Sequence, residues 1–321
     1  MRILSAEQVD RALDDLALID RLESLFRSGC EMPTRHHHTI AVPNASDATL
    51  LLMPAWTQAG GDRAGRIGVK LVTVFPDNGK RSLPAIFGQY LLLDGATGQP
   101  LALLDGTMLT KRRTACASGL ASRYLSRPDS SRLLMIGTGA LAPHLIRVHC
   151  KVRPIREVAI WGRDPAKAES LAKELSATMP SVAVKPATDR RAAVEAADIV
   201  SCATLSATPL VEGAWLRSGQ HLDLVGAFTP HMRESDDEAM RRTRIHVDTR
   251  DGAMKEAGDI VQPLAAGVIV KENILADLFE LARGQKNGRA PDDRGSITLF
   301  KSVGAALEDL AAAELAFSAH Q

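Results

Sequence analysis

Arg132-Leu-Leu-Met-Ile-Gly-Thr-Gly-Ala-Leu-Ala142 is the stretch that decides the fold. A short apolar run breaks into Gly137-x-Gly139-x-x-Ala142 and then resumes as a helical pattern, which is the form of a dinucleotide-binding turn. Gly137 permits the sharp turn out of the strand. Gly139 lets the backbone approach a pyrophosphate, and Ala142, where a third glycine is common, is still small enough for helix–strand packing. Ala140 and Leu141 complete the turn, and N–H groups at the start of the next helix favour an anion. The flanking sequence supplies the rest of a βαβ unit of roughly 30 residues: a strand over Arg132–Ile136, a helix from Ala140 to about Lys151, and a strand over Glu157–Trp161.

The end of that second strand selects the dinucleotide. A site for NAD usually carries Asp or Glu there, accepting from the ribose 2′-hydroxyl. This strand ends Trp161-Gly162-Arg163 with no acid at its tip. The planar fork of Arg163 suits a 2′-phosphate, which points to NADPH as the preferred cofactor with NADH as a weaker substitute. Asp164 followed by Pro165 fits the N-cap and first position of the next helix.

Outward from this unit the chain reads as two domains, which 321 residues can support. Ser5 with Gln8 has capping-box spacing, and helices are expected over about 6–12 and 14–29. From Thr39 to about Leu104, short apolar runs separated by Gly, Pro, Asn and Asp predict an antiparallel sheet, with Asp94-Gly-Ala-Thr-Gly98 as a hairpin turn. Leu109–Leu125 reads as a connecting helix. Beyond it, strands Arg132–Ile136, Glu157–Trp161, Val182–Lys185, Asp198–Ala203, His221–Gly226 and Ile245–Asp248 alternate with helices, and a last helix is expected over about Thr298–Ala316. The fold class is α/β: a Rossmann-type doubly wound parallel sheet over 118–297, plus an α+β domain over 1–117 joined by 298–321.

A net charge of +1 gives no electrostatic footprint for nucleic acid or an anionic membrane, and no apolar run reaches the length of a membrane span. The N-terminus lacks the apolar stretch of a secretory signal. Cys30, Cys116, Cys150 and Cys202 have no Cys-x-x-Cys spacing and read as buried, reduced thiols of a cytoplasmic protein. His36-His37-His38 alternate faces on an extended segment with no carboxylate or cysteine beside them, so no metal site is expected. Gly-x-Ser-x-Gly, His-Glu-x-x-His and Walker patterns are absent. Trp56, Trp161 and Trp215 read as packing residues.

Three cations stand out in the first half: Arg35, Lys70 inside the apolar run Gly68-Val-Lys-Leu-Val, and Arg113 with Thr114 near the expected start of the connecting helix. A lysine in an apolar strand either faces solvent across a one-sided sheet or meets an anion. Arg113-Thr114 at a helix start would either bind an anion through side chain and backbone or form a surface ion pair.

With these residues in place the chain resembles the ornithine cyclodeaminase/mu-crystallin family over nearly its whole length. The likeness runs through Met53-Pro-Ala, Gly68-Val-Lys70, Leu83-Pro-Ala, Asp94-x-x-x-Gly98, Leu103-Leu-Asp-Gly106, Leu109-Thr, Arg113-Thr-Ala115, Gly137-x-Gly-x-x-Ala142, Glu256-Ala-Gly-Asp259 and Thr298-Leu-Phe-Lys-Ser-Val-Gly304. It implies a homodimer whose first domain binds substrate and dimerises. It implies that Arg35, Lys70 and Arg113 hold a substrate carboxylate. Lys70 is also a candidate for polarising the reacting centre, with orienting the carboxylate as its main expected role. It further implies that Arg113, Thr114, the Gly137–Leu141 turn, Gly162, Arg163, Asp164, Ala203, Thr204, Val225–Phe228 and Ser302-Val303 surround the dinucleotide.

One departure redirects the activity. Cyclodeaminases of the family carry Gly-Gly-Asp-x-Pro, whose Asp acts on the substrate amine. Here the segment is Val225-Gly-Ala-Phe-Thr-Pro-His-Met-Arg-Glu234, with Phe228 in that place. A phenyl ring neither accepts a proton nor hydrogen-bonds an ammonium. The segment resembles instead the family's reductases of cyclic ketimines, which implies NAD(P)H-dependent reduction of Δ1-pyrroline-2-carboxylate or Δ1-piperideine-2-carboxylate to L-proline or L-pipecolate. The alternatives are an ornithine cyclodeaminase or alanine dehydrogenase-type enzyme and, outside catalysis, an NADPH-dependent ligand-binding protein like mu-crystallin.

Overall fold

The computed structural model describes residues 1–58 and 65–320. The chain divides into two compact units, Met1–Arg113 with Ala305–Gln321, and Thr114–Gly304.

The first unit is built on a sheet of β1 (Arg2–Leu4), β2 (His36–Ile40), β3 (Ala48–Thr57), β4 (Arg66–Val74), β5 (Ile86–Asp94) and β6 (Pro100–Asp105), in the order β1-β6-β5-β4-β3-β2. β1, which the sequence pattern did not reveal, pairs parallel with β6, and every other pairing is antiparallel. The Asp94 turn joins β5 to β6 as expected: Asp94 Oδ1 accepts from Ala96 N, Thr97 N and Thr97 Oγ1. Helices Ala6–Ala12 and Asp15–Ser28 match the expected pair, and the Ser5–Gln8 capping box forms in both directions. The helix Ala306–Ser318 packs on Asp15–Ser28 and on β3, β4 and β5.

β-Strand alternation then sorts the sheet's side chains. Gly68, Lys70, Met53, Ala55, Tyr90 and Leu92 are buried on the helix-covered face. Leu71 and Phe87 on the opposite face are 42 % and 46 % exposed, among the half-buried Leu50, Leu52, Val69 and Leu91.

The second unit holds eight parallel strands: β7 (Arg132–Ile136), β8 (Glu157–Trp161), β9 (Ala183–Pro186), β10 (Ile199–Cys202), β11 (His221–Leu224), β12 (Arg244–Val247), β13 (Ile274–Asp277) and β14 (Thr298–Lys301). Their order is β13-β12-β14-β11-β10-β7-β8-β9. Leu134, Ile136, Val200, Cys202, Leu222, Leu224, Ile245 and Leu299 are buried in one core, the near-continuous apolar content of a sheet covered on both faces.

Three expectations are corrected here. Six strands were expected, but Ile274–Asp277 is a strand too, and Thr298–Lys301 is a strand rather than the start of the last helix. β14 inserts between β11 and β12, pairs with both, and belongs to the second unit. Gly304, at φ +82°, separates it from the helix that begins at Ala306. The connecting helix also begins earlier, at Gly106, with Asp105 Oδ1 accepting from Met108 N at 2.6 Å.

Candidate functional site

In the first unit Lys70 answers the question the sequence left open: it faces inward. Its strand neighbours in register are Met53 and Tyr90, and it is 3 % exposed. Its Nζ lies 2.7 Å from Asp309 Oδ2. Asp309 Oδ1 in turn accepts from Arg113 Nε at 2.9 Å, and Glu308 Oε2 accepts from Arg113 Nη1 at 2.6 Å. Two of the three expected cations are therefore joined through buried carboxylates rather than standing as bare charges.

Arg113 does not lie at a helix start. With the helix running over Gly106–Leu125, it and Thr114 sit in the interior, where backbone N–H groups belong to the helix ladder. Anion binding by side chain and backbone together is overturned, and the side chain alone remains. Arg113 closes the first unit and Thr114, also buried, opens the second. Arg35 is half-buried directly before β2, and its charge acts on Lys70.

The electrostatics follow from burial. Desolvation lowers the Lys70 ammonium to about 8, with Arg113 and Arg35 adding to the fall and Asp309 opposing it. Burial also works against the Arg113 guanidinium, but Asp309 and Glu308 outweigh it and hold the charge more firmly than usual. Lys70 and Arg113 balance Asp309 and Glu308 in formal charge, and the Arg35 charge also acts at Lys70. The sequence reading missed Glu308 and Asp309. The available signal was an acidic pair interrupting the apolar run Ala305-Ala-Leu-Glu-Asp-Leu-Ala-Ala-Ala313, in the first helical turn where anions are favoured.

In the second unit the expected dinucleotide residues fall along one edge of the sheet. Gly137, Gly162, Ala203, Val225 and Ser302 each directly follow a strand, β7, β8, β10, β11 and β14, and these strands are neighbours in the sheet. β7 and β10 flank the point where strand order reverses, the place where open α/β sheets take their ligands. Gly137 has φ +118°, and a side-chain carbon there would lie 2.7 Å from Ala203 O. Nothing lies within 4 Å of the corresponding position at Gly139. No side chain caps the helix that begins at Ala142 after Leu141, and Pro143 occupies its first turn. A tight first glycine, an open second one and an uncapped helix start fit a pyrophosphate.

Asp164 is the N-cap expected of it, accepting from Ala166 N at 3.1 Å, and Arg163 beside it is exposed. Phe228 is 43 % exposed, next to Ala227 at φ +49°.

Beneath this edge lies a buried cluster that sequence reasoning did not single out. Glu234 Oε1 accepts from Thr204 N at 2.6 Å and Thr204 Oγ1 at 2.7 Å. Asp259 Oδ1 accepts from Glu234 N, Ser235 N and Ser235 Oγ. Lys301 Nζ donates to the carbonyls of Leu224, Gly226 and Ser302. Burial and then the Asp259 charge push the Glu234 carboxyl up to about 7. Asp248 Oδ2 accepts from Val303 N and Gly304 N, fixing the chain just beyond Ser302.

His36 and His38 share one face of the exposed β2, 6.1 Å between ring centroids, with His37 on the other. No group of three His, Cys, Asp or Glu among the described residues could hold a metal ion. Cys116 and Cys202 are buried, whereas Cys30 and Cys150 are only half-buried, against the expectation for all four. No helix among the described residues is long and apolar enough to cross a membrane.

Known proteins match this architecture throughout. "Protein SAR DEFICIENT 4" of Arabidopsis thaliana is 44 % identical over 286 residues, covering 88 % of this chain and 85 % of that protein. Delta(1)-pyrroline-2-carboxylate reductase of Colwellia psychrerythraea is 38 % identical over 315 residues, covering 98 % and 97 %. Among solved structures, Thermococcus litoralis Delta(1)-pyrroline-2-carboxylate reductase in complex with NADH and L-proline superposes with a TM-score of 0.90 at 35 % identity, covering 99 % of this chain and 97 % of that one. The profile of the ornithine cyclodeaminase/mu-crystallin family matches residues 1–320, and the chain belongs to that family.

Proposed function

We propose that this chain is an NAD(P)H-dependent oxidoreductase that reduces a cyclic ketimine, Δ1-pyrroline-2-carboxylate or Δ1-piperideine-2-carboxylate, to L-proline or L-pipecolate. The observation that carries the reading is the buried Lys70–Asp309–Arg113–Glu308 assembly, with the Arg35 charge acting on Lys70. Such a site takes a small anion. Similarity to a reductase solved with NADH and L-proline supports a ring amino acid as the product.

Arg35, Lys70 and Arg113 hold the carboxylate and fix the ring. Positioning of this kind supplies much of a rate enhancement. Lys70, a buried ammonium poised near neutral pH, polarises the reacting centre. A dinucleotide held by its pyrophosphate at the Gly137–Leu141 turn would supply hydride from its reduced nicotinamide to the C=N carbon, and a proton from solvent would complete the ring amine. Thr114, Gly162, Arg163, Asp164, Ala203, Thr204, Val225, Phe228 and Ser302 complete its surroundings, and Arg163 favours NADPH over NADH. Phe228 supports reduction over cyclodeamination, because no carboxylate stands at that position to act on an amine.

The apolar face bearing Leu71 and Phe87 supports a homodimer. A reducing cytoplasm suits the four cysteines, none of which forms a disulfide.

The test is oxidation of NADPH and of NADH with each imine, beside ammonia release from L-ornithine with NAD. Imine-dependent oxidation that is faster with NADPH is expected. Ammonia from ornithine without imine turnover would return the cyclodeaminase reading, and tight NADPH binding with neither reaction would favour a ligand-binding protein.

A further inference from the structure

Trp161 and Trp215, which read as packing residues in sequence, carry a cation. Arg190 opens the helix Arg190–Ala196 that leaves the carboxyl end of β9, beside β8. Its guanidinium carbon lies 4.7 Å from the ring centroid of Trp161 and 5.5 Å from that of Trp215. Trp161 is the last residue of β8, its carbonyl accepts from Gly137 N at 2.9 Å, and Gly162-Arg163 follow it directly. Arg190 is thereby tied to the dinucleotide turn through a single residue.

The neighbouring charges are committed elsewhere. Asp189 Oδ1 caps the helix by accepting from Ala192 N at 3.0 Å, and Arg191 pairs with Glu195 at 2.9 Å. Arg190 has neither a hydrogen bond nor an ion pair among the described residues, and its Nε is buried without a partner. Arg163 likewise has no ion pair among them. An arginine stacked on an indole face keeps its N–H edge available, and the stack removes the rotamer freedom that an exposed arginine such as Arg163 must lose on binding. A phosphate monoester carries about two negative charges near pH 7, so one arginine leaves it half-neutralised and two match it.

The geometry points to Arg190 as a second, preorganised ligand of the dinucleotide's 2′-phosphate, acting with Arg163 to set the preference for NADPH. This assignment rests on the reading of the second unit as a dinucleotide site.

Calorimetric titration of the full-length protein with 2′,5′-ADP and with 5′-AMP tests it, using Arg190→Met, which keeps an apolar stem against the indoles, and Arg163→Met. Arg190→Met should weaken 2′,5′-ADP about tenfold while 5′-AMP changes by less than about twofold. The NADPH-to-NADH ratio of kcat/KM should fall by a similar factor, with NADH turnover held. Equal weakening of both nucleotides would make the indole stack a scaffold only and overturn the assignment. So would loss of discrimination in Arg163→Met alone, which would leave the NADPH reading standing. A wild-type protein that binds both nucleotides equally would overturn the assignment and the NADPH reading together.

Discussion

Lys70 concentrates the chemistry of the first unit, and it was only half legible. Its place in an apolar strand was plain, but facing solvent and meeting an anion were equally consistent with the pattern. What decides between them is Asp309, more than two hundred residues away in sequence, and no local spacing exposes such a pairing. Its lowered ammonium has a consequence that pH can read. Above about pH 8 the Lys70 ammonium, proposed to face the substrate carboxylate, loses its proton. KM for the imine should then rise, by up to about tenfold per pH unit, and kcat should fall with it as the polarising ammonium is lost. Lys70→Arg, which stays charged, should move that limb out of the accessible range, and steady-state kinetics from pH 6 to 10 would check both. Stability moves in the opposite sense. Between the folded value near 8 and the ordinary 10.5, the unfolded chain binds the extra proton, so this residue's contribution to stability rises with pH across that window.

Among the elements, the Gly137–Ala142 turn was the most legible because its requirements are local: a positive φ, a close approach and a small residue against a strand. Gly137→Ala violates two of these at once, through φ +118° and a contact of 2.7 Å with Ala203 O. It should weaken NADPH at least about tenfold, measured by nicotinamide fluorescence, while circular dichroism keeps the wild-type signature. β14 was illegible for the converse reason. Four buried residues give too little periodicity to separate strand from helix, and parallel pairing with β11 and β12 determines the outcome. The start of the connecting helix was displaced because its first turn carries Gly106 and Thr107, weak helix formers that the Asp105 side chain compensates. That displacement changed the chemistry read for Arg113-Thr114. The dinucleotide-edge residues after β10, β11 and β14 were known only through family likeness, and the parallel order of the strands supplies the physical reason they share an edge.

For the molecule as a whole, the sequence conveyed two units and their fold types but neither the uncovered sheet face nor the buried carboxylates. The face bearing Leu71 and Phe87 is what a second copy would bury. Leu71→Asp with Phe87→Asp should convert a dimer to monomers in sedimentation, and an unchanged dimer would put the interface elsewhere. Hydride transfer to carbon is the step on which the proposed reaction stands, and isotope labelling reads it. The enzyme would be supplied with NADPH deuterated at the transferable C4 position and Δ1-pyrroline-2-carboxylate, and the product analysed by mass spectrometry and chiral chromatography. L-Proline with one deuterium at Cα is expected. Unlabelled product, or no proline while NADPH stays bound and intact, would contradict it.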